Sequence, residues 1–551
     1  MSDTRTARTG GRILVDALRV HGVDRLFCVP GESYLDVLDA LYDTPQISVV
    51  VAKHEGAAAN MAEADGKLTG DPGICFVTRG PGATHASIGV HTAYHDSTPM
   101  ILFIGQVPRD VRGREAFQEV EFRRMFGPLA KWAAEIESAD RIPEYVLRAF
   151  QVATSGRPGP VVLALPEDVL AEESHACDSH AYHSVQTTPR DADLRALRDE
   201  LERASKPLLI VGGSRWTEAG CAALAHFAEA NALPVLASFR RQDLIDNRHP
   251  CYVGHLSLGL PPFLQQRVKT ADLIIALGSR LGDVTTMTYS VIKPPRISAR
   301  LVHIHPDPNE LNRVYQADVA IIAAASAAAE RLAELAPIES PSWRNWTADA
   351  RREYEKFIAV PEKGPRHGVD TAAVIHHLAT HLPANAILAN GAGNFTVWVH
   401  RFFTYKAPHT ELAPTSGSMG YGFPAAIAAA LRYPDRTTVC VAGDGDFLMY
   451  PQELATAAQY GARLLVLIVN NGMYGTIRMH QERRFPGRVS ATDLAAPDFV
   501  RLAQSFGAYA ERVETTEAFA PAFDRALGAG TSAVLELRVD PNQITPDRRI
   551  G

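Results

Sequence analysis

Thr437-Thr438-Val439-Cys440-Val441-Ala442-Gly443-Asp444-Gly445-Asp446 begins as an apolar, β-branched run and ends in two acids set between glycines. A run without polar alternation reads as a strand buried on both faces. Pro451 opens the next segment, and proline suits the first turn of a helix because its missing N–H has no partner there. A helix is therefore expected over Pro451–Tyr460. A second apolar run, Leu464 to Val469, ends in Asn470-Asn471-Gly472. Strand, helix, strand in this order is a βαβ unit with a right-handed crossover. It sets Asp444 and Asn471 at the carboxyl ends of two parallel strands, the edge where open α/β sheets bind ligands.

The same alternation extends along all 551 residues, a length that suits about three domains. The expected fold class is α/β, with three doubly wound parallel-sheet domains at 11–170, 190–335 and 368–540. The expected strands of the first block are Ile47–Val51, Ile74–Thr78, Met100–Ile104 and Val161–Leu165, with an Ala-rich helix from Gly56 to Leu68. The second block has Pro207–Val211, Leu233–Leu236, Leu273–Leu277 and Leu301–His303. The third adds Ala386–Ala389 and Ala533–Leu537 to the pair above. Residues 171–189 and 336–367 read as linkers, the second with one short helix.

Composition narrows the partners. A net charge of −7 over this length gives no footprint for nucleic acid. Six cysteines without a CxxC pair argue against a zinc site or a disulfide framework, and Cys28, Cys75 and Cys440 sit in apolar runs as small hydrophobes. Met1 to Arg12 is polar and basic with no apolar stretch after it, and no run reaches the roughly 18 apolar residues of a bilayer span. A cytoplasmic protein without membrane partners is expected.

Asp444 and Asn471, with glycines exposing nearby carbonyls, make an oxygen-only ligand set. Magnesium takes six oxygens at about 2.0–2.1 Å and commonly shares them with phosphates. Two side chains do not complete that shell, so a diphosphate is implied. Asn390-Gly391-Ala392-Gly393-Asn394, after the Ala386–Ala389 strand, is a second glycine turn leading into a helix, where N–H groups face an anion. Earlier, the run Gln46–Lys53 ends in His54-Glu55-Gly56 before Ala57-Ala58-Ala59-Asn60-Met61-Ala62-Glu63. Read alone, Glu55 is an acid stabilised at a helix N-terminus.

Together these motifs resemble the thiamine-diphosphate-dependent enzymes of the acetolactate synthase-like group. The GDG…NN pair carries the likeness, with 24 residues between Gly445 and Asn470. It extends to Val29-Pro30-Gly31, Thr78-Arg79-Gly80-Pro81-Gly82-Ala83-Thr84, Asp96-Ser97-Thr98-Pro99-Met100, Gly105-Gln106-Val107, Ala116-Phe117-Gln118-Glu119 and Gly159-Pro160-Val161. The resemblance implies a pyrimidine-binding, a central and a diphosphate-binding domain, with thiamine diphosphate and Mg2+ as cofactors. It puts the metal on Asp444, Asn471 and Met473. It puts the cofactor on Gly31, Glu55, Gly391, Ala392, Gly393, Asn394, Gly417, Met419, Gly443, Asp444, Gly445, Asp446, Asn471, Met473, Tyr474, Gly475 and Thr476. Within Ser416-Gly417-Ser418-Met419, the Gly417 carbonyl would meet the 4′-amino group and Met419 would wedge between the rings. Glu55 would hold N1′ of the pyrimidine and so promote the imino tautomer that deprotonates C2. Glu55, Gln118 and His480 are the catalytic candidates, and Tyr474, Thr476 and Arg478 line the expected pocket, with Arg478 placed to hold a carboxylate. The resemblance also implies a homodimer or homotetramer, with Glu55 and the diphosphate site drawn from different subunits.

Several positions depart from the acetolactate synthase pattern. His480 stands where that group has tryptophan, Glu167 where it has lysine, and Glu32 where a glycine usually follows Gly31. The flavin-loop pattern is reduced to Gly278-Ser279-Arg280-Leu281-Gly282-Asp283. The expected function is a carboligase or lyase acting on a 2-ketoacid or related carbonyl. A 2-hydroxyacyl-CoA lyase or oxalyl-CoA decarboxylase type, a flavin-linked ketoacid oxidase and a non-catalytic homologue are the alternatives. The central block holds FAD, ADP or neither, and the residues leave this open.

Overall fold

The unbroken Val, Ile and Leu runs form strands buried at every position, including Thr438–Gly443, Leu465–Asn470 and Leu273–Leu277. The computed structural model describes residues 6–362, 364–495 and 497–550. Among them are three six-stranded sheets, each parallel throughout. Apolar side chains alternate between the two faces: Leu209 and Val211 join one core of the central sheet, Leu208 and Ile210 the other. Helices therefore cover both faces, as continuous apolar strands require.

The strand orders carry the argument toward function. In the first sheet the spatial order is Ser48–Val51, Arg25–Cys28, Gly73–Val77, Met100–Gln106, Pro160–Pro166, Trp132–Glu135. In chain order this is 2-1-3-4-6-5. The third sheet repeats it: Glu411–Leu412, Ile387–Asn390, Thr438–Gly443, Leu465–Asn470, Ala533–Arg538, Tyr509–Val513. The central sheet differs, running Tyr252–His255, Val235–Ala237, Pro207–Val211, Leu273–Leu277, Arg300–His305, Val319–Ile322, or 3-2-1-4-5-6. Each order has a point at which the chain leaves two neighbouring strands in opposite directions, between strands 1 and 3 in the first and third sheets and between 1 and 4 in the central one, and the crevice there is the ligand position of open α/β sheets.

The chain forms two compact units. One runs up to Val185 and includes Phe423–Tyr433 and Tyr450–Arg463; the other holds Gln186–Gly422, Pro434–Met449 and the chain from Leu464. The sequence reading keeps 368–540 as one block, yet these two short segments pack with the first sheet. Side chains explain why. Ser48–Val51 is an edge strand, and alternate N–H groups along it point away from its neighbour. Tyr460 accepts from Val51 N at 2.8 Å. Buried Glu453 accepts from Lys53 N through both carboxylate oxygens, at 3.0 and 3.2 Å, and from Thr456 Oγ1 at 2.6 Å. Arg432 is held by Asp65 and Asp24 at 2.7 and 2.6 Å. Burial pushes the Glu453 carboxyl up from its ordinary range. Glu453→Ala leaves the Lys53 N–H without its acceptor and lowers stability by about 1–3 kcal/mol, read as a lower urea midpoint.

Other sequence boundaries shift in instructive ways. The expected helix Pro451–Tyr460 is a 3-10 turn, Pro451–Glu453, followed by a helix at Leu454–Gln459, with a further short helix at Asp444–Phe447. The short helix expected within 336–367 is the 15-residue helix Arg344–Ile358. Trp343 and Tyr354 belong to the central core, and Trp343 donates to Asn231 O at 2.9 Å. That segment is core rather than linker. In the first linker, Glu173–Ser174 pairs with Arg8–Thr9. The short strands Arg25–Cys28, Trp132–Glu135, Val319–Ile322 and Tyr509–Val513 were not expected. All but Val319–Ile322 have a mixed composition with too little apolar periodicity to read as strand, and Val319–Ile322 is an apolar run of only four residues. Cys28, Cys75 and Cys440 are buried free thiols, as their apolar surroundings predict. Among the described residues no helix is long and apolar enough to cross a membrane.

Candidate active site

In the third sheet the reversal lies between Ile387–Asn390 and Thr438–Gly443, so the loops leaving these strands part at the carboxyl edge. Asp446 ties them together. Its Oδ1 accepts from Ala392 N at 3.0 Å and from Gly420 N at 2.9 Å. Asp444 accepts from Gly445 N at 3.0 Å through one oxygen and from Gly472 N at 2.9 Å through the other. The two acids thus join four loops, at 391–394, 417–420, 444–446 and 471–476. Their exposures are only 2% and 3%, and burial pushes both carboxyls up to about 6 despite the N–H groups. Buried charge of this kind is stabilised by a cation.

Gly391 shows how tightly the loops are drawn. A Cβ there would lie 2.2 Å from Asp446 Oδ1. Gly391→Ala forces the carboxylate off its two N–H donors and destabilises by about 1–3 kcal/mol, read by thermal or denaturant unfolding of the cofactor-free protein. Gly417 has a left-handed backbone, φ +70°, and a Cβ there would meet open space. Its carbonyl therefore sits in a turn that side-chain-bearing residues rarely adopt.

These loops surround a cavity of about 320 Å³, at the lower end of the range for ligand sites. Of the cofactor positions inferred from sequence, all but Gly31, Glu55 and Gly391 line it. Asn394 Oδ1 accepts from Thr476 Oγ1 at 2.9 Å, and Asn471 Oδ1 accepts from Met473 N at 3.2 Å. The helix Gly475–Arg484 begins at the cavity; its Gly475 N–H donates to Met473 O at 2.9 Å, and the N–H groups that follow in the first turn have no acceptor within the helix, an arrangement that suits an anion. A flap missed in the sequence braces the segment: Tyr474 N donates to Thr492 O at 2.8 Å and Leu494 N to Gly472 O at 2.9 Å.

Two inferred positions fall elsewhere. His480 is exposed on the far part of that helix and does not line the cavity. Arg478, expected to hold a substrate carboxylate, is ion-paired with Glu482 at 2.6 Å. Both follow from helical geometry, since only the first turn of Gly475–Arg484 reaches the cavity.

The first unit gathers the remaining candidates at the carboxyl edge of its own sheet. Gly31 follows Arg25–Cys28, and Thr78 follows Gly73–Val77 across the reversal; a Cβ on Gly31 would be 2.5 Å from Thr78 Cβ. Gln118 is half-buried with φ +66°, and its carbonyl accepts from Gly80 N at 3.0 Å. Glu119 shapes that loop by accepting from Gly113 N at 2.6 Å and Ala116 N at 3.0 Å. Two of the departures noted in the sequence share one partner: Arg79 pairs with Glu32 at 3.2 Å and with Glu167. No motif announces this cluster, because its three residues follow three different strands.

Glu55 begins the helix Glu55–Thr69, capped by His54, whose Nδ1 accepts from Gly56 N at 3.0 Å. Its Oε2 lies 2.8 Å from His85 Nδ1. Ligand atoms of His54, Glu55 and His85 lie within 4.8 Å of one another. An imidazole-rich set of this kind is a poor match for magnesium, which the oxygen donors at Asp444 and Asn471 suit better.

Comparison with known proteins bears on the same residues. Residues 8–125 match the N-terminal TPP binding domain of thiamine pyrophosphate enzymes, 194–332 their central domain, and 391–537 their C-terminal TPP binding domain. The chain belongs to the thiamine pyrophosphate enzyme family. Within it, this thiamine pyrophosphate enzyme is acetolactate synthase-like. It is 33% identical over 549 residues to the acetolactate synthase large subunit of Parasynechococcus marenigrum, covering 96% of this chain and 87% of that protein. It is 30% identical to the isozyme 2 large subunit of Escherichia coli, covering 96% and 95%, and 30% identical to the mitochondrial catalytic subunit of Saccharomyces cerevisiae, covering 97% and 81%. The residues fit the family's cofactor: an oxygen donor pair, a helix start and a left-handed glycine face one cavity.

Proposed function

We propose that this enzyme is a magnesium-dependent carboligase of the acetolactate synthase type, taking a 2-ketoacid as donor and a second carbonyl compound as acceptor. The observation that carries this reading is the cavity at the reversal of the third sheet, where Asp444 and Asn471 meet the first turn of Gly475–Arg484. Thiamine diphosphate, when bound, supplies the nucleophilic carbon and the electron sink for cleaving and forming a bond beside a carbonyl. Asp444, Asn471 and the Met473 carbonyl would hold Mg2+, leaving further positions for diphosphate oxygens. The Thr476 N–H, in the first turn of Gly475–Arg484, would take the diphosphate, the Gly475 N–H being bonded to Met473 O. Gly417 would accept from the 4′-amino group, and Met419 would fix the bend of the cofactor. Glu55 would keep a proton at N1′, and Gln118 would contact substrate.

Arg79 is only 8% exposed and is engaged by two carboxylates, and Arg478 is engaged by Glu482. The central sheet adds a nucleotide-type strand order, with Gly212-Gly213 and Gly278-Ser279 at its reversal, which favours FAD or ADP there. A homodimer or homotetramer acting in the cytoplasm completes the proposal. The test is purified enzyme with thiamine diphosphate, Mg2+ and pyruvate, assayed for CO2 and acetolactate, with an absorbance spectrum for flavin. Acetolactate formation supports the reading; CO2 release without acetolactate removes the synthase version.

A further inference from the structure

Glu55 does not stand alone. Its helix, Glu55–Thr69, packs beside Gly80–Asp96, and a Cβ on Gly89 would lie 2.4 Å from Ala59 Cβ. This near-contact of backbones at Gly89 and Ala59 sets the approach of the two helices. One turn earlier on each, at positions 85 and 55, the same approach brings imidazole to carboxylate. His85 Nδ1 meets Glu55 Oε2 at 2.8 Å, within the range of a charge-assisted hydrogen bond. A carboxylate oxygen accepts, so Nδ1 carries the hydrogen and the distal Nε2 is left toward solvent, the ring being 53% exposed. The His54 ring stacks on it at 4.5 Å, with 28° between planes, and is itself fixed by Gly56 N and packed against Tyr450. Glu55 is only 14% exposed, and its Oε1 lies 3.5 Å from where a Gly82 Cβ would be.

We propose that His85 is the positioning residue of Glu55: it fixes Oε2 and leaves Oε1 to the pyrimidine ring. The proposal rests on Glu55 being the carboxyl that meets N1′. A glutamate has three side-chain torsions, and the chain atoms around it set only where the side chain begins. Holding one oxygen converts a mobile carboxyl into one with a defined free face, which is how a second residue orients a catalytic one. The stacked His54 restricts the imidazole in turn, so the order runs from Gly56 N through two rings to the carboxylate.

The test compares wild type, His85→Ala, His85→Asn and Glu55→Gln, each loaded with thiamine diphosphate and Mg2+ and without substrate. The near-ultraviolet circular dichroism of the bound cofactor reports its pyrimidine tautomer, and deuterium exchange at C2 reports its activation. Cofactor affinity is followed by fluorescence quenching, and the unfolding midpoint checks the fold. In His85→Ala the tautomer band weakens and exchange slows about 10- to 100-fold, while cofactor affinity changes less than about threefold. Exogenous imidazole restores exchange by filling the vacated ring position, and His85→Asn falls between. Exchange at the wild-type rate in His85→Ala overturns the proposal. So does a loss that imidazole leaves untouched and that follows a lowered unfolding midpoint. Wild-type exchange in Glu55→Gln sinks the underlying assignment of Glu55 instead, and the two failures are told apart by that variant.

Discussion

Asp444→Ala enzyme loses magnesium-dependent retention of thiamine diphosphate. Asp444 is buried to 2% exposure, and each of its oxygens already accepts one backbone N–H, leaving further lone pairs toward the cavity. Removing the acid would withdraw the charged ligand proposed for the cation, and it leaves the N–H groups of Gly445 and Gly472 unpaired. Breaking a buried charge pair costs about 3–5 kcal/mol, which is a loss in affinity of roughly 100-fold or more. Isothermal titration of thiamine diphosphate with and without Mg2+ reads it directly. The wild type shows a large Mg2+ effect and the variant almost none. Ligand-induced stabilisation gives a second reading: saturating cofactor and Mg2+ raise the unfolding midpoint of the wild type and leave that of Asp444→Ala unmoved. Retention of the Mg2+ effect in the variant places the cation elsewhere, the His54, Glu55 and His85 group being the alternative to examine next.

What the sequence makes legible here, and what it hides, follows from the range over which each signal acts. Strand ends such as Asp444 and Asn471 are readable because an apolar run fixes the strand and the next few residues fix the turn. The glycine at 391 is readable as a turn, but its reason is not. Only the folded loops show that a Cβ there would collide with Asp446, some 55 positions later. His85 sits one residue beyond a quoted motif, and nothing in its neighbours marks it. It becomes visible when the Gly89–Ala59 approach of two helices brings it to Glu55. Arg79 is hidden for the same reason, since Glu32, Arg79 and Glu167 follow three different strands. His480 and Arg478 are the converse case: they follow the motif in sequence but lie beyond the first turn of Gly475–Arg484, the part of that helix that lines the cavity, because a helix presents each face only every three or four residues. The edge strand Ser48–Val51 was expected, but its cover by Tyr460 and Glu453 involves partners some 400 residues away.

Glu55→Gln retains the cofactor and loses catalysis. Glutamine has the size of glutamate, and its amide oxygen still accepts from His85 Nδ1 at the position of Oε2. The helix start that Glu55 occupies and its His54 cap also survive the change. What disappears is the exchangeable carboxyl proton that Glu55 would hold at N1′. Positioned proton transfer contributes about 10²- to 10⁴-fold, so kcat falls by a factor in that range, while the affinity for thiamine diphosphate stays within a few-fold because the residues proposed to hold magnesium and the diphosphate, Asp444, Asn471 and Thr476, are unchanged. Steady-state turnover of the best ketoacid substrate, set against a cofactor titration of the same preparation, separates the two quantities. A parallel fall in both would mean that the carboxylate serves binding, and near-normal kcat would move the activating acid to another residue. Glu55→Ala adds the remaining control: by also removing the oxygen that meets His85, it loses more than Glu55→Gln, and the difference between the two measures what the hydrogen bond from His85 contributes once the proton itself is gone.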